Sequence, residues 1–160
     1  MSINTHTATH ASYAIAAMEA GAHVFVEMPL AATVTDAQRV VETAQLTKRK
    51  LVVGYILRHH LNWMDFIVQA RELGPPFVMR INQNQRSTGK AWEIHKRILQ
   101  DVKNPVIDCG VHYIDVMLQI PDNAIRQDRA LTKNMTDAVR SLTIVLAADR
   151  SMRENRAIDL

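Results

Sequence analysis

Cysteine and long apolar runs are nearly absent from this sequence. Cys109 is the single cysteine, which excludes an intramolecular disulfide and favours a reducing compartment. No uninterrupted apolar run approaches the roughly 20 residues of a membrane helix, and the first residues lack the cationic and apolar segments of a secretory signal. We therefore expect a soluble, cytoplasmic protein without a membrane partner.

Clustered positive charge is also scarce. The chain has 19 Lys and Arg residues against 16 Asp and Glu residues. Its only tight basic run, Lys48-Arg49-Lys50, lies where the end of a helix favours cations. No aromatic and basic recognition motif accompanies this run, so the sequence predicts no nucleic-acid partner. With 160 residues, the chain is long enough for one ordinary domain but too short for two large ones.

The first third of the chain alternates between helical and strand patterns. We predict a helix over residues 7–20 that ends at Gly21, and strands over residues 23–26 and 51–55. A second helix is predicted to begin at Thr35, with Gln38 as its capping partner and an apolar stripe of Ala37, Val40, Val41 and Ala44. Strands separated by helices in this way favour an α/β fold with a parallel sheet and right-handed crossovers.

The pattern changes after residue 60. A helix over residues 61–73 is predicted to end at Gly74, and Pro75-Pro76 separates it from an alternating segment over residues 77–83, so we place a domain boundary here. Further helices are predicted over residues 92–99, 106–120 and 136–150. The last helix carries an apolar stripe that requires a partner surface, formed by Met135, Ala138, Val139, Leu142, Val145 and Leu146.

Three ionisable residues lie together on the predicted helix over residues 106–120. Asp108, His112 and Asp115 form a stripe beside its apolar face. A carboxylate one turn from an imidazole can orient the ring for proton exchange with a substrate hydroxyl. Two other interpretations stay open, a surface Asp and His pair and a set of three metal ligands. Because no further ligand residues cluster here, we predict no metal.

Glu27-Met28-Pro29 directly follows a predicted strand. Ligands of open α/β sheets bind beyond the carboxyl ends of the strands, which makes this tripeptide a candidate binding segment. Taken alone, however, a Glu followed by Met and Pro at a strand end is more typical of a simple turn.

Five motifs follow one another in a characteristic order. They are Thr5-His6-Thr7-Ala8-Thr9-His10, Glu19-Ala20-Gly21-Ala22-His23-Val24, Glu27-Met28-Pro29-Leu30, Gly54-Tyr55 with Arg58, and Asp108-Cys109-Gly110-Val111-His112 with Asp115. In order and spacing they resemble the Gfo/Idh/MocA family, the relatives of glucose–fructose oxidoreductase and inositol dehydrogenase. The resemblance covers most of residues 4–120, and residues 136–160 resemble the family's closing helix and tail.

The resemblance implies a doubly wound, Rossmann-like domain that binds NAD or NADP, followed by a mostly antiparallel substrate domain. Residues 1–75 would be the C-terminal half of the dinucleotide-binding domain, and residues 76–160 a reduced α+β remnant of the substrate domain. By position, Thr5 would approach the nicotinamide and Glu27 would border it. Pro29 would form the turn at the strand end, with a cis peptide bond expected.

The same resemblance implies a substrate site for a sugar or polyol. His112 would exchange the proton of the substrate hydroxyl, and Asp108 would bind the substrate beside it. Arg58 is also expected to contact the substrate. Cys109, which lies between the two catalytic candidates, has no covalent role in the family and is expected to be a small packed residue.

Three departures from the family pattern bear on activity. Met28 stands where the family has a lysine that assists proton transfer, and the loss of one positioned acid–base group typically costs about 10²- to 10⁴-fold in rate. The resemblance begins in the middle of the cofactor domain, and the 160 residues contain no G-x-G-x-x-G phosphate loop. Only residues 122–130 stand where the family inserts most of its antiparallel sheet. His6, where the family often has Pro, is a milder change.

Two functions therefore remain as expectations from the sequence. The first is an NAD(P)-dependent oxidoreductase of a sugar or cyclic polyol hydroxyl, impaired by truncation and by Met28, acting as a homo-oligomer or with a complementing chain. The alternative is a non-catalytic remnant or interaction protein derived from that family. The resemblance does not specify the substrate or the choice between NAD and NADP.

Overall fold

Three short parallel strands lie at the centre of the fold. A computed structural model describes residues 1–74, 78–82, 88–90, 92–93, 96, 106–120 and 130–160. The strands are β1 (Ser2–Ile3), β2 (Val24–Val26) and β3 (Leu51–Val53), and they pair in the order β1-β2-β3. Ile3 lies opposite Val26, and Val26 lies opposite Val53. Helices α1 (Thr7–Glu19) and α2 (Val34–Thr47) connect the strands, which confirms the predicted α/β class with its partial Rossmann-like sheet.

Helix α1 ends as its sequence predicts. The chain reverses at Gly21, whose φ of +89° is open to glycine at little steric cost. The apolar stripe of α2 is also confirmed, because Ala37, Val40 and Ala44 are buried and Val41 packs against the core.

The predicted start of α2 is wrong by two residues. Thr33, rather than Thr35, is the N-cap: its Oγ1 accepts a hydrogen bond from the Asp36 backbone N–H at 3.1 Å and donates to Asp36 Oδ2 at 2.7 Å. Thr33 is extended, with φ −130° and ψ 155°. Because Leu30 and Ala31 just before it are buried, the preceding turn is tied to the core and the helix begins at the first hydroxyl that follows.

A 3-10 turn (Ile56–His59) leads from β3 into α3 (Leu61–Leu73), which ends at Gly74 with φ +73° as predicted. Residues 78–82 form neither helix nor strand. The predicted helix over residues 92–99 falls largely outside the described residues, as do Pro75 and Pro76. The division into two domains at this point stays a prediction.

The predicted helix over residues 106–120 is not uniform. A π-helical turn (Val106–Gly110) precedes α4 (Val111–Gln119), and such a turn alters the register of side chains on either side of it. The buried face of α4 consists of Val111, Asp115, Val116 and Gln119. The expectation that Asp115 borders the buried face is therefore corrected: this carboxylate lies inside it.

Helix α5 (Ala130–Glu154) is longer than predicted at both ends. Its expected apolar stripe finds the partner surface that it requires, because α5 packs against α2, β3 and α4. Met135, Ala138, Leu142 and Val145 join one core with residues of all three strands. Helix α5 therefore packs directly against β3 and shares the main core with the sheet.

A smaller apolar cluster joins α3 to α4. It contains Ile67, Val116 and Ile120, and the Arg71 Nε donates to the backbone carbonyl of Gln119 at 2.9 Å. The latter bond satisfies a carbonyl at the end of α4 that has no partner within the helix. In the part of the chain that the structure describes, no helix has the length and apolar character needed to span a membrane.

Candidate functional site

The carboxyl ends of the three strands bring Thr5, Glu27 and Gly54 to one edge of the sheet. Glu27 directly follows β2, and its backbone N–H donates to the Ile3 carbonyl at 3.0 Å. Gly54 directly follows β3, and its N–H donates to the Val26 carbonyl at 2.9 Å. Parallel pairing thus continues one residue beyond the strands. This is the edge at which open α/β sheets bind their ligands.

Gly54 makes room for the Glu27 side chain. A Cβ atom at position 54 would lie 3.0 Å from Glu27 Oε2 and 3.1 Å from Phe25 Cζ. Any larger residue would therefore displace the carboxylate from its present place beside the end of β3. The half-buried Glu27 carboxylate owes its position partly to this glycine.

The turn after Glu27 has the expected geometry. The Met28–Pro29 peptide bond is cis, as the resemblance implied, and Pro29 is buried. Met28 is half-buried and packs against the main core. Its thioether therefore serves packing at the position where the resemblance implies a lysine.

Thr5, which follows β1, is exposed, and its hydroxyl forms a 2.8 Å hydrogen bond with that of Thr9.

Arg58 lies in a nearly buried cluster of charges. Its Nε donates to Asp115 Oδ2 at 2.8 Å, one terminal nitrogen contacts Asp115 Oδ1, and the same nitrogen lies 3.1 Å from Asp137 Oδ2. The Arg58 side chain is 13% exposed, and that of Asp115 is 1% exposed. Gln119 Nε2 adds a hydrogen bond to Asp115 Oδ2 at 3.0 Å. The substrate-binding role of Arg58 stays a prediction, and any substrate contact would compete with this cluster.

The two carboxylates determine the electrostatics of Arg58. Burial lowers the pKa of a guanidinium, but the hydrogen bonds and negative charges of Asp115 and Asp137 outweigh it, so the Arg58 pKa lies above its ordinary value. A cation with two buried anionic partners stays charged at any pH at which the fold persists. Arg58 therefore offsets one of the two negative charges of the cluster and takes no part in proton transfer.

Tyr55 connects this cluster to His112. The Arg58 guanidinium carbon lies 5.4 Å from the centre of the Tyr55 ring, a distance typical of cation–π attraction. The edge-to-face contact with His112 has a centroid distance of 6.2 Å. Burial, and then the charge of Asp115, raise the pKa of Tyr55 above its ordinary range. The Tyr55 phenol therefore stays neutral and packs between Arg58 and His112 rather than acting as an acid–base group.

His112, the candidate proton-exchanging residue, is half-buried near the start of α4. The His112 ring contacts Tyr55, and Tyr55 directly follows Gly54 at the sheet edge. Gly54 in turn lies beside the Glu27 carboxylate. Asp108 lies on the π-helical turn before α4, but its side chain lies outside the described part of the chain. The pairing of Asp108 with His112 stays a prediction.

The described residues contain no group of three His, Cys, Asp or Glu side chains arranged to hold a metal ion. In addition, Asp115 is engaged by Arg58 and Gln119. Because the Asp108 side chain lies outside the described part of the chain, the metal interpretation of the Asp108, His112 and Asp115 stripe stays a hypothesis.

Comparisons with known proteins identify the family. Residues 1–55 match the Gfo/Idh/MocA model, which describes an oxidoreductase family with an NAD-binding Rossmann fold. Inositol 2-dehydrogenase of Salmonella typhimurium is 30% identical over 118 residues, which cover 72% of this chain and 33% of that protein. The parallel strands and their connecting helices are those of part of a Rossmann-type domain. The chain belongs to the Gfo/Idh/MocA family.

Two further relatives show how broad this likeness is. The 4-carboxy-2-hydroxymuconate-6-semialdehyde dehydrogenase of a Sphingobium species is 32% identical over 100 residues, which cover 57% of this chain and 32% of that protein. The crystal structure of a probable dehydrogenase from Thermotoga maritima superposes with a TM-score of 0.64 and 24% identity, covering 74% of this chain and 35% of that one; this likeness concerns the fold alone. The chain spans about a third of the length of the curated relatives it matches.

Several residues that build the site carried no predicted role. Asp137 had a readable signal, since a carboxylate adjacent to the apolar stripe of a long helix requires a cationic partner if it is buried. Tyr55 stood in a quoted motif, but its place between Arg58 and His112 depends on contacts distant in sequence. His10 stood in the first motif, and its burial at 1% exposure has no signal in the helical pattern.

Proposed function

We propose that this chain provides part of the active site of an NAD(P)-dependent oxidoreductase that acts on a sugar or cyclic polyol hydroxyl. The observation that carries the proposal is the alignment of Thr5, Glu27 and Gly54 at the carboxyl edge of the parallel sheet. Family membership supports the cofactor class, and the inositol dehydrogenase relatives support the class of substrate.

The residues at this edge are suited to the nicotinamide end of a dinucleotide. Thr5 offers an exposed hydroxyl, Glu27 a half-buried carboxylate, and Gly54 an approach without a side chain. Pro29 holds the turn that directs the chain away from this edge. These residues would hold the nicotinamide and its ribose, which carry hydroxyl and amide groups able to donate to and accept from such partners. The choice between NAD and NADP stays open.

The chain's own contribution to the reaction is the removal of a proton. A bound nicotinamide supplies the acceptor for the hydride when an alcohol is oxidised to a carbonyl compound. His112 would take the proton of the same hydroxyl on an imidazole nitrogen, with Asp108 binding the substrate beside it. Tyr55 packs edge-on against the His112 ring and limits its rotation, which helps to hold a general base in one orientation.

Met28 lowers the expected rate of this reaction. It stands at the position where the family has a lysine, and a thioether offers no proton and no charged hydrogen bond. We expect a turnover about 10²- to 10⁴-fold below that of a lysine-containing site, which is the usual effect of one positioned acid–base group. Met28→Lys is therefore a variant in which activity is expected to rise.

A non-catalytic interaction protein is the second candidate. The observation that favours it is that two residues of the candidate site make structural contacts. Met28 packs against the core, and Arg58 forms ion pairs with Asp115 and Asp137. In this case the fold would be inherited and the sheet edge would bind no nucleotide. A homo-oligomer or a complementing chain is compatible with both candidates.

Nucleotide titration separates the two candidates. NADH and NADPH are added to the purified chain while nucleotide fluorescence and tryptophan quenching are recorded. Trp63 is a suitable reporter, because its ring contacts Tyr113 on α4 with a centroid distance of 5.8 Å, next to His112. Saturable binding supports the enzyme, and substrate screens with polyols, sugars and semialdehydes then follow with the unmodified chain and Met28→Lys. A folded chain that binds neither nucleotide contradicts the proposal and favours the interaction protein.

A further inference from the structure

His10 lies on α1 and is buried, with 1% of its surface exposed. Both of its ring nitrogens contact backbone carbonyl oxygens. Nδ1 lies 2.8 Å from the carbonyl oxygen of Pro29, and Nε2 lies 2.9 Å from that of Thr5. The ring therefore bridges two segments that are 24 residues apart in the sequence and that leave neighbouring strands.

The two bridged segments carry the candidate nucleotide site. Thr5 follows β1, and Pro29 ends the turn that begins with Glu27 after β2. Pairing within the sheet aligns Ile3 with Val26, and the N–H of Glu27 donates to Ile3. Among the described residues, no backbone hydrogen bond joins the two segments beyond Glu27. The imidazole of His10, on α1, contacts both of them.

A carbonyl oxygen can only accept a hydrogen bond, so each of the two contacts requires an N–H on the ring. A neutral imidazole has one N–H and satisfies one carbonyl at a time, whereas the doubly protonated ring satisfies both. An apolar side chain of the same size would fill the space but leave both carbonyls without this donor. The presence of a histidine at position 10 is thus explained by its hydrogen bonds to the two carbonyls and not by packing alone.

We propose that His10 is a positioning residue that ties the segment after β1 to the turn after β2 and thereby sets Thr5 relative to Glu27. It does not touch the nucleotide itself. The effect on nucleotide binding rests on the proposed function, whereas the tie between the two segments does not.

Three substitutions distinguish the hydrogen-bonding role of His10 from a role in packing alone. His10→Asn places an amide donor near the position of Nδ1, facing Pro29, and His10→Gln places one near the position of Nε2, facing Thr5. His10→Phe keeps a ring of similar size and removes both donors. All three are compared with the unmodified full-length chain by amide hydrogen exchange measured by NMR and by titration with NADH.

In His10→Phe we expect exchange to rise about tenfold at the amides around Thr5 and around Leu30, since one buried hydrogen bond corresponds to roughly that factor. The amides of α2 and β3 should keep their protection. His10→Asn should restore protection near Leu30, and His10→Gln near Thr5. NADH affinity should fall about tenfold in His10→Phe and recover partly in the two amide variants.

Equal exchange in His10→Phe and the unmodified chain would overturn the proposal. So would a loss of protection spread evenly over the core, because that result indicates a packing role. If the unmodified chain binds neither NADH nor NADPH, the proposed function fails, but the exchange pattern still decides whether His10 ties the two segments.

Discussion

The guanidinium of Arg58 and the carboxylate of Asp115 form a two-point ion pair within the protein, although the residues are 57 positions apart in the sequence. Arg58 lies on the 3-10 turn after β3, and Asp115 lies on the buried face of α4. Asp137 of α5 joins the same guanidinium. A single cation thus connects the turn that follows β3 to helices α4 and α5.

Removal of the Arg58 charge should destabilise the fold strongly. Arg58→Met keeps the length of the side chain but removes the cation that pairs with the buried Asp115 carboxylate, which costs about 3–5 kcal/mol. Urea unfolding measures the loss. Arg39→Met is the matched control, because it breaks an exposed pair with Asp36 and should change stability by less than about 1 kcal/mol. Equal losses in the two variants would contradict the assigned role of the buried cluster.

Tyr55 should make stability depend on alkaline pH. Its pKa is raised in the folded state, first by burial and then by Asp115, so the unfolded chain releases the phenolic proton at lower pH than the folded chain. The stabilisation is complete below the unfolded pKa of about 10 and declines as pH rises above it. Urea unfolding of the unmodified chain and Tyr55→Phe, at about pH 8 and about pH 11, measures the difference. The unmodified chain should lose more stability, and parallel losses would refute the assignment.

At neutral pH, Tyr55→Phe should be tolerated. The Tyr55 hydroxyl is buried near the Ser141 hydroxyl, and the two do not form a hydrogen bond of ordinary geometry. Its removal therefore leaves no new orphaned partner, and we expect a change in the free energy of unfolding within about 1 kcal/mol. Thermal unfolding at neutral pH is sufficient for this measurement. A large loss would mean that the hydroxyl has a partner in the native protein.

Two threonines at the start of α2 provide a direct test of its cap. Thr33→Ala removes the side-chain acceptor of the Asp36 N–H and should cost about 1 kcal/mol. Thr35→Ala lies two residues further on, is exposed, and should change stability by a few tenths of a kcal/mol at most. Chemical denaturation of both variants measures the difference. The opposite order of effects would restore the cap that the sequence pattern predicted.

Gly54→Ala should act on the site through Glu27. The added Cβ atom would approach Glu27 Oε2 to 3.0 Å, so the carboxylate must move while the strand remains. If the proposed function holds, NADH binding should weaken, with a loss of stability below about 1 kcal/mol, because the neighbouring atoms are the ends of flexible side chains. The double variant with Glu27→Ala is the control. Gly54→Ala should have little effect on binding in that background, and an undiminished effect would show that it acts by another route.

The elements near the start of the chain were predictable because their signals are local. The helical period of residues 7–20 and the glycine that ends it were confirmed, as was the alternation that predicts parallel strands. The order of the five motifs also sufficed for the family, since each motif lies within a few residues. The cap of α2 was missed because two threonines offer nearly the same local chemistry, and the burial of Leu30 and Ala31 decides between them.

In the candidate site, too, local features were predictable from the sequence and long-range contacts were not. Sequence alone determined which residues follow two of the strands, Glu27 after β2 and Gly54 at the end of β3, because strand ends and motifs are properties of neighbouring residues. Strand β1 before Thr5 was not predicted, because its two residues are too few to show a pattern. Only the tertiary structure decided that Asp115 is buried against Arg58, that Asp137 completes this cluster, and that His10 bridges Thr5 and Pro29. These relationships join residues between 5 and 79 positions apart, and most of them depend on how helices pack on the sheet. Helix packing is a property of the whole chain, so no short stretch of sequence encodes it.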